Sequence, residues 1–266
     1  MPSAEIFFDD EEYLRTVVAE KPLWQSEGEA LGAARLAGCR PGARILDAGC
    51  GNGRHALPLA HAGYEVVALD GSRPLLAAAQ RAARGARRPR FVCGSYTTLP
   101  FEPGSFDAVL CLGTALGYRG EDADRAALRE FRRVLAPGGR LVIETLHRAE
   151  IGARLHAHEE RRLASGGVLR FERHFDHARG VMRETQRLED SSGNGSPRSY
   201  ELRVYSEREL SRMLEEAGLP LVGRHASLAR QGEPSAATPL VLVAERDARR
   251  RPRRLRSQRV GRFSPP

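Results

Sequence analysis

The sequence predicts an α/β fold in which helices cover a mainly parallel sheet, and three observations support this prediction. Short apolar segments that read as buried strands recur between residues 43 and 145. Segments with helical periodicity separate them, which gives a single alternating βα pattern. The chain has 266 residues, 41% of them hydrophobic, which suffices for one large core. We therefore expect one main domain with additions.

The first strand and the loop after it carry the most informative motif. Ala43 to Leu46 read as a short buried strand that Asp47 follows directly. Glycines then alternate with other residues, at Gly49, Gly51 and Gly53. They let the chain turn sharply and approach a ligand closely, since glycine has no Cβ. A helix starting near Arg54 would aim its free N–H groups at that ligand. The motif indicates a nucleotide-sized ligand held by backbone.

A second apolar strand runs from Tyr64 to Asp70 and again ends in an acid. A carboxylate at this position can accept both hydroxyls of a ribose. The loop from Gly51 to Ala56 also fits the dinucleotide pattern G-x-G-x-x-A, so a nicotinamide oxidoreductase is an alternative. Asp47 and Gly49 argue against it, because a dinucleotide loop begins directly after its strand.

Downstream, the alternation of strand and helix continues. Phe106 to Cys111 is a third apolar strand, and Arg125 to Leu135 carries its apolar residues on one helical face. Pro137-Gly138-Gly139 is expected to break that helix before Arg140 to Thr145 continues as a strand.

Taken together, these residues resemble the class I S-adenosylmethionine-dependent methyltransferases. Their glycine loop reads D-x-G-x-G-x-G, their second strand ends in Asp or Glu, and a helix, P-G-G and a strand follow later. The resemblance covers about residues 40 to 145 well and 200 to 245 more loosely. It implies a Rossmann-like sheet of seven strands with helices on both faces and an antiparallel final strand.

Three further helices and two strands are predicted from local signals. Ser26 and Glu29 have the spacing of a capping box, which predicts a helix from about Glu27 to Ala37. Ser72 is expected to cap a helix that reaches about Arg84. A second capping box, Ser206 to Glu209, opens a helix that stops at Gly218. Two short strands are also predicted, Arg90 to Cys93 and Leu240 to Glu245.

Between the fifth strand and the Ser206 helix lies an insertion with β alternation over Val168 to Phe175, Val181 to Leu188 and Tyr200 to Tyr205. It predicts a small antiparallel sheet, which is either a lid over the substrate or a dimer surface. The predicted organisation is 1–39 as an N-terminal helical segment or lid, 40–150 as the cofactor-binding core, 151–205 as the β insertion, 206–245 as the C-terminal part of the core and 246–266 as a basic disordered tail.

The resemblance implies S-adenosylmethionine as the cofactor and assigns residues to it. Asp47 and the loop glycines correspond to contacts with the methionine side and with backbone, and Asp70 to the ribose acceptor. Ser95 departs from the Asp often found near adenine, although a hydroxyl can also accept a hydrogen bond. The full cofactor-binding set is Asp47, Gly49, Cys50, Gly51, Gly53, Asp70, Gly71, Ser95, Tyr96, Leu112 and Gly113.

For the methyl acceptor, the sequence favours a small molecule, methylated on N or O. It lacks N-P-P-Y and D-P-P-Y, which disfavours exocyclic base nitrogens, and Pro-Cys, which disfavours pyrimidine carbon. The N-terminal segment, Gly117-Tyr118 and the β insertion look like bacterial methyltransferases of secondary metabolism. The predicted acceptor-binding residues are Tyr13, Trp24, Thr114 and Tyr118. Tyr13 and Trp24 could equally be ordinary packing residues.

His147 is the candidate general base, since it lies just beyond the fifth strand and an imidazole titrates near neutral pH. A surface histidine beside Arg148 is the alternative. Tyr118 is the other candidate catalytic residue. The cofactor can be used largely through alignment and exclusion of water, so a dedicated catalytic residue is not required. The histidines have no metal-ligand spacing, and no metal is predicted.

Charge is distributed unevenly along the chain. The net charge is +8, and residues 246–266, with nine arginines and one acid, carry all of it. This segment reads as a solvated extension or as an electrostatic arm for RNA, DNA or an acidic partner. An RNA or protein methyltransferase and a non-catalytic cofactor-binding protein are therefore the alternatives to the main hypothesis.

The setting predicted for the protein is reduced and cytoplasmic. The four cysteines have no C-x-x-C spacing, the first twenty residues have acids where a signal peptide would be basic, and no apolar stretch reaches membrane-span length. A homodimer is also considered, and no membrane partner is expected.

Overall fold

The computed structural model describes residues 23–83, 88–149, 151, 155–163, 167–189, 195–228 and 239–248. The strands are β1 (Arg44–Ala48), β2 (Glu65–Asp70), β3 (Arg90–Cys93), β4 (Phe106–Cys111), β5 (Leu135–Thr145), β6 (His158–Arg162), β7 (Val168–Asp176), β8 (Val181–Glu189), β9 (Pro197–Arg203), β10 (Leu221–His225) and β11 (Leu240–Glu245). The helices are α1 (Leu23–Leu36), α2 (Ala56–His61), α3 (Arg73–Ala82), α4 (Glu121–Val134) and α5 (Glu207–Glu216).

The main sheet has seven strands in the order β3-β2-β1-β4-β5-β11-β10. β11 is antiparallel to both of its neighbours, while β1 to β5 pair in parallel. The predicted seven-stranded sheet with an antiparallel final strand is confirmed.

Each face of this sheet has its own apolar core, because side chains of a strand alternate between faces. One core joins Leu46 of β1 to Phe131 of α4 and Leu214 of α5. The other joins Ile45, the next residue along β1, to Ala33 of α1 and Leu59 of α2. The strands are buried on both sides, as expected for a parallel sheet with helices on both faces.

The P-G-G motif does not end a helix as predicted, because β5 begins at Leu135, directly after α4. Leu135 pairs with Phe106 of β4, and the next register pair is Arg140 with Ala108. Residues 136–139 therefore bulge out of the ladder, with Gly138 in the left-handed region at φ 78°. The prediction was wrong about the element, since the glycines serve a bulge inside a strand.

Helix caps were predicted correctly in two of three places. The Ser72 hydroxyl accepts from Leu75 N at the start of α3, and Ser206 and Glu209 form a reciprocal capping box on α5. The box predicted at Ser26 is wrong, because α1 already begins at Leu23 and Ser26 is a buried residue inside it. The Glu29 carboxylate contacts the side chains of Arg54 and His55.

The insertion forms a four-stranded antiparallel sheet in the order β6-β7-β8-β9. The three predicted strands are confirmed, although β9 ends at Arg203 and Tyr205 lies in the core of the main domain. β6 was missed, because its sequence HEERR is charged throughout and shows no alternation. Within the described ranges, no helix is long and apolar enough to cross a membrane.

Candidate active site

The candidate site lies where β1, β2, β4 and β5 end, because parallel strands present their carboxyl ends at the same edge. Ligands of open α/β sheets bind at this edge. β1 contributes Asp47, the loop after it contributes the glycines, and β2 contributes Asp70. The segment of residues 112–119 after β4, called here the acceptor loop, lies beside them.

The glycine loop is tightly packed on one side and open on the other. Gly49, Gly51 and Gly53 have φ values of 82°, 56° and 80°, in the region that favours glycine. A Cβ on Gly49 would lie 2.7 Å from Ala115 Cβ, and one on Gly53 would lie 3.1 Å from Ala79 Cβ. A Cβ on Gly51 would meet no described atom within 4 Å. Gly51 therefore faces open space at the edge of the sheet.

Backbone hydrogen bonds fix the start of this loop. Gly49 N and Cys50 N both donate to Leu69 O, at 2.8 and 3.0 Å, which ties the loop to β2. The Cys50 side chain is buried, and burial raises the pKa of its thiol well above the ordinary value. The Cys50 thiol is therefore buried and neutral at physiological pH, and the predicted contact of this residue with a cofactor stays a prediction.

Asp70 organises the loop through both of its carboxylate oxygens. Oδ2 accepts from Gly51 N at 2.7 Å, and Oδ1 accepts from Ser72 N at 2.8 Å. Each carboxylate oxygen has a second lone pair, so the same group can also accept hydroxyl donors. Gly71, between these residues, accepts a weak hydrogen bond from Cys93 Sγ at 3.8 Å.

Asp47 is a buried carboxylate, and one of its oxygens has no hydrogen-bond partner among the described residues. The residue is 1% exposed, and its Oδ2 has no hydrogen-bond partner in the part of the chain that the structure describes. Burial raises the pKa of Asp47 to about 7, with Asp70 adding to the rise, while Arg54 and the Ala56 N–H oppose it. An unpaired buried carboxylate is costly unless a cation or donor arrives, so the group is suited to a cationic ligand.

A charged cluster that was not predicted links α1 to the glycine loop. Glu29 of α1 forms an ion pair with Arg54, and its Oε2 lies 3.1 Å from His55 Nε2. His55 is buried at the start of α2. The Arg54 guanidinium lies against Gly113, where a Cβ would come within 2.9 Å of Nη2. Arg54 immediately follows Gly53, and this position next to the glycine motif was the one signal in the sequence for its contacts with Glu29 and Gly113.

The acceptor loop begins with a carboxylate contact from β5. Gly113 N donates to Glu144 Oε2 at 2.6 Å, and Thr114 N donates to Glu144 O at 3.1 Å. Thr114 has φ 61°, which a β-branched residue rarely adopts. Strained backbone of this kind clusters at functional sites. Glu144 was not predicted, because its contact joins β5 to the loop after β4, which lies 31 positions earlier in the chain.

Tyr96 and Ser95 line the loop after β3. The Tyr96 hydroxyl donates to Ala115 O at 3.1 Å, so this side chain supports the acceptor loop. The Ser95 hydroxyl is 2.7 Å from Thr97 Oγ1 and accepts from Arg119 Nη1 at 3.2 Å. Their predicted contacts with a cofactor stay predictions. Leu112 is buried at the end of β4, beside Gly113.

Tyr118 and the segment before His147 converge on the second sheet. The Tyr118 ring lies 5.4 Å from the Tyr200 ring, centroid to centroid. Tyr118 and Leu146 pack on the same small core as Phe175. His147 follows Leu146, two residues beyond β5. The insertion therefore borders the loop of residues 112–119 at this edge of the sheet.

Two predicted acceptor residues cannot be placed. Tyr13 lies outside the described residues, and Trp24 belongs to α1 with its side chain outside the described part. In the described ranges, no group of three or more His, Cys, Asp or Glu side chains could hold a metal ion.

Comparison with known proteins agrees with this geometry. Residues 45–139 match a family model described as a methyltransferase domain. This segment is similar to a methyltransferase domain, and the chain has the class I methyltransferase fold. It includes the glycine loop, Asp70 and the acceptor loop. Members of this class take their methyl group from S-adenosylmethionine.

Curated relatives align with about 40% of this chain. The demethylmenaquinone methyltransferase of Renibacterium salmoninarum is 43% identical over 108 residues, which are 40% of this chain and 42% of that protein. The chain therefore matches less than half the length of this curated relative.

Two solved structures resemble nearly the whole chain. The CcbJ methyltransferase from Streptomyces caelestis is 25% identical with a TM-score of 0.77, and the alignment covers 91% of this chain and 98% of that one. The amino pentose methyltransferase CalS10 from Micromonospora echinaspora, solved with SAM bound, is 26% identical with a TM-score of 0.65, covering 85% and 92%.

Proposed function

We propose that this protein is an S-adenosylmethionine-dependent methyltransferase that acts on a small molecule. The observation that carries the proposal is the pair of carboxylates flanking the glycine loop. Asp47 has a buried oxygen without a described partner, and Asp70 holds the loop at Gly51, whose other side is open. A cationic sulfonium compound with a ribose fits two such carboxylates. The match of residues 45–139 to the methyltransferase domain supports this assignment.

The residues that would hold the cofactor follow from their contacts. Asp70 would accept the ribose hydroxyls while it keeps the Gly51 N–H. Asp47 would place a negative charge beside the cationic methionine part. When bound, S-adenosylmethionine supplies an electrophilic methyl group with an excellent leaving group. The chain's contribution is then alignment of the acceptor and exclusion of water.

For the acceptor side, we propose that Thr114 and Tyr118 contact the substrate. Tyr118 presents an aromatic face next to Tyr200, which suits an amine or an aromatic compound. His147 would accept the proton that the N or O nucleophile loses. Support for a small-molecule acceptor comes from CalS10, described as an amino pentose methyltransferase, which aligns with 85% of this chain.

The insertion is proposed as a lid over the acceptor, with a homodimer surface as the alternative. Its contacts with the acceptor loop favour the first role. All four cysteines are free, which agrees with the proposed reduced, cytoplasmic setting.

Isothermal titration with S-adenosylmethionine tests the central part of the proposal. We expect saturable binding with a dissociation constant in the range of about 1 μM to 1 mM, typical of enzyme substrates. NADH, titrated in parallel by its fluorescence, should not bind. No heat of binding at millimolar cofactor would remove the proposal.

Gly51→Ala should weaken cofactor binding, whereas the control variant Gly42→Ala should bind the cofactor as the wild type does. The new Cβ would enter the open space at the sheet edge, and we expect the dissociation constant to rise about tenfold or more. Gly42→Ala is the control, since Gly42 also has a positive φ, 91°, and a Cβ there meets no described atom within 4 Å. Both changes cost about 1–2 kcal/mol of backbone strain, to be measured by denaturant unfolding. Equal loss of affinity in both variants would contradict the placement of the ligand at Gly51.

The acceptor is to be found by product profiling. Purified protein, cofactor labelled in the methyl group and an extract of the source organism should yield a labelled compound of low molecular mass. Label recovered only in protein or RNA would favour the alternative acceptor classes.

The arginine-rich C-terminus supports a second candidate, an RNA methyltransferase that uses an electrostatic arm. Arg246, predicted as part of the tail, instead donates to Arg132 O and Arg133 O at 3.1 and 3.0 Å, at the end of α4. Gly138 N also donates to Arg246 O. A deletion should therefore begin at residue 249, which removes eight arginines and no acid. We expect this deletion to leave transfer to the small acceptor unchanged. Loss of salt-dependent RNA binding together with activity would favour the RNA hypothesis instead.

A further inference from the structure

We propose that Asp124 is a positioning residue that fixes the acceptor loop at Gly117 and, through Tyr205, ties this loop to the insertion. The inference rests on the proposed function, since it concerns how the loop proposed to contact the methyl acceptor is held in place. The geometry that carries it involves three separate parts of the chain. These are the first turn of α4, the end of the acceptor loop and the segment just after β9.

The Asp124 carboxylate is shared between two donors. Gly117 N donates to Oδ1 at 3.2 Å, and the Tyr205 hydroxyl donates to Oδ2 at 2.6 Å. Asp124 is completely buried and Tyr205 is 1% exposed. Hydrogen bonds to a buried charge are among the stronger ones in proteins. Removing either donor leaves a carboxylate oxygen without compensation.

Both backbone polar groups of Gly117, its N–H and its carbonyl, form hydrogen bonds. Its N–H is bound by Asp124, and its carbonyl accepts from Arg203 N, the last residue of β9, at 2.9 Å. Gly117 has φ 103°, and a Cβ there would lie 2.3 Å from Arg203 O. The end of β9 therefore lies directly against Gly117. This contact fixes the direction in which the next residue, Tyr118, leaves the loop toward Tyr200.

The position of Asp124 is not explained by helix capping alone. Acids near a helix N-terminus are favourable on the surface, and Glu121 and Asp122 already occupy that turn with exposed or partly exposed side chains. Asp124 points inward and loses its hydration. A buried acid is retained where its hydrogen bonds hold specific groups.

Several ionisable groups face this carboxylate. Glu121 lies on the same helix, Arg203 and Tyr205 come from the end of the insertion, Tyr96 follows β3, and Cys111 ends β4. Arg203 lies over the Tyr205 ring at 4.9 Å. Burial raises the pKa of Asp124 to about 6, while the hydrogen bonds from Tyr205 and Gly117 oppose the rise. The Asp124 carboxylate with its hydrogen bonds to Gly117 and Tyr205 is called here the clamp. With a pKa of about 6, this carboxylate is mainly ionised at pH 8 and mainly protonated at pH 5.

Amide NMR on the full chain tests the clamp without any acceptor. In ¹⁵N–¹H spectra recorded from pH 5 to pH 8, the Gly117 amide proton should shift with a midpoint near 6, because it donates to the titrating carboxylate. The Tyr118 amide should move with the same midpoint, since Gly117 orients it. Asp124→Asn should abolish both titrations. Tyr205→Phe should move the midpoint upward, because a hydrogen bond that lowers the pKa is lost.

Glu121→Gln is the matched control, since it removes an acid from the same turn but leaves both hydrogen bonds. Its spectra should keep the titrations of Gly117 and Tyr118. A Gly117 amide that keeps its wild-type chemical shift in Asp124→Asn at pH 8 would overturn the clamp. Titration of Gly117 without Tyr118 would overturn the positioning role.

Kinetics provide the functional test. With the acceptor identified by product profiling, Tyr205→Phe should raise the acceptor KM about tenfold while the cofactor dissociation constant changes by less than about twofold. Equal losses for cofactor and acceptor would indicate a general structural role and contradict the proposal. A wild-type chain that fails to bind S-adenosylmethionine would remove the proposed function, whereas the NMR result on the clamp would stand by itself.

Discussion

Asp70→Asn is expected to weaken binding of S-adenosylmethionine by about 100-fold, which corresponds to about 3 kcal/mol. The carboxylate accepts from Gly51 N and Ser72 N at once. An asparagine has one acceptor oxygen, so its NH₂ group would face one of these donors. The loop would lose its anchor, and the ribose would lose a charged acceptor. Isothermal titration of wild type and variant measures the difference.

Asp107→Asn is the matched control for this experiment. Asp107 also accepts a backbone hydrogen bond at a strand of the main sheet, from Arg44 N at 2.8 Å, but it lies at the opposite end. It should lose some stability and keep the wild-type affinity. If Asp70→Asn bound the cofactor as tightly as Asp107→Asn, the assignment of Asp70 would be wrong.

Asp47→Asn is expected to make the ligand-free protein more stable at alkaline pH and to impair cofactor binding. Burial raises the pKa of Asp47 from 3.8 to about 7. The unfolded state therefore loses its proton at lower pH than the folded state. The folded state carries no penalty below about pH 4, and the penalty grows with rising pH until it is complete above about pH 7. An uncharged, isosteric amide removes this penalty.

The gain can reach about 4 kcal/mol, since each pKa unit is worth about 1.4 kcal/mol. Thermal unfolding should show nearly equal Tm values for variant and wild type at pH 4, and a Tm advantage of the variant that widens up to pH 8.5. A Tm advantage that shrinks as the pH rises would contradict this account of Asp47.

Cofactor binding gives the complementary test of Asp47. A cation bound next to this carboxylate lowers its pKa, so binding near pH 6.5 should release a proton, and binding at pH 8.5 should not. Calorimetry in two buffers with different ionisation enthalpies measures that release. Asp47→Asn should bind at least about tenfold more weakly. Its heat of binding should not depend on the buffer.

Local signals predicted most of the fold because the forces behind them are local. The structure contains three features that depend only on neighbouring residues. These are the strand at Asp47, the cap at Ser72 and the capping box at Ser206. The box at Ser26 failed because α1 begins three residues earlier, at Leu23, and Glu29 contacts Arg54 and His55.

Within the candidate site, the sequence located the parts that lie next to the motif. Asp47 and Asp70 end neighbouring parallel strands, so their proximity follows from strand order. The contacts of Glu144 with Gly113 and of Asp124 with Tyr205 join residues 31 and 81 positions apart. Such contacts depend on how the acceptor loop and the insertion pack, and no periodicity encodes that packing.

A crystal structure of the complex with S-adenosylhomocysteine tests the central claim most directly. The two ribose hydroxyl oxygens are expected at hydrogen-bond distance, about 2.5–3.0 Å, from the Asp70 carboxylate. The ligand backbone should lie against the open side of Gly51 with its ammonium group near Asp47. A ligand bound elsewhere, or a ribose turned away from Asp70, would contradict the account.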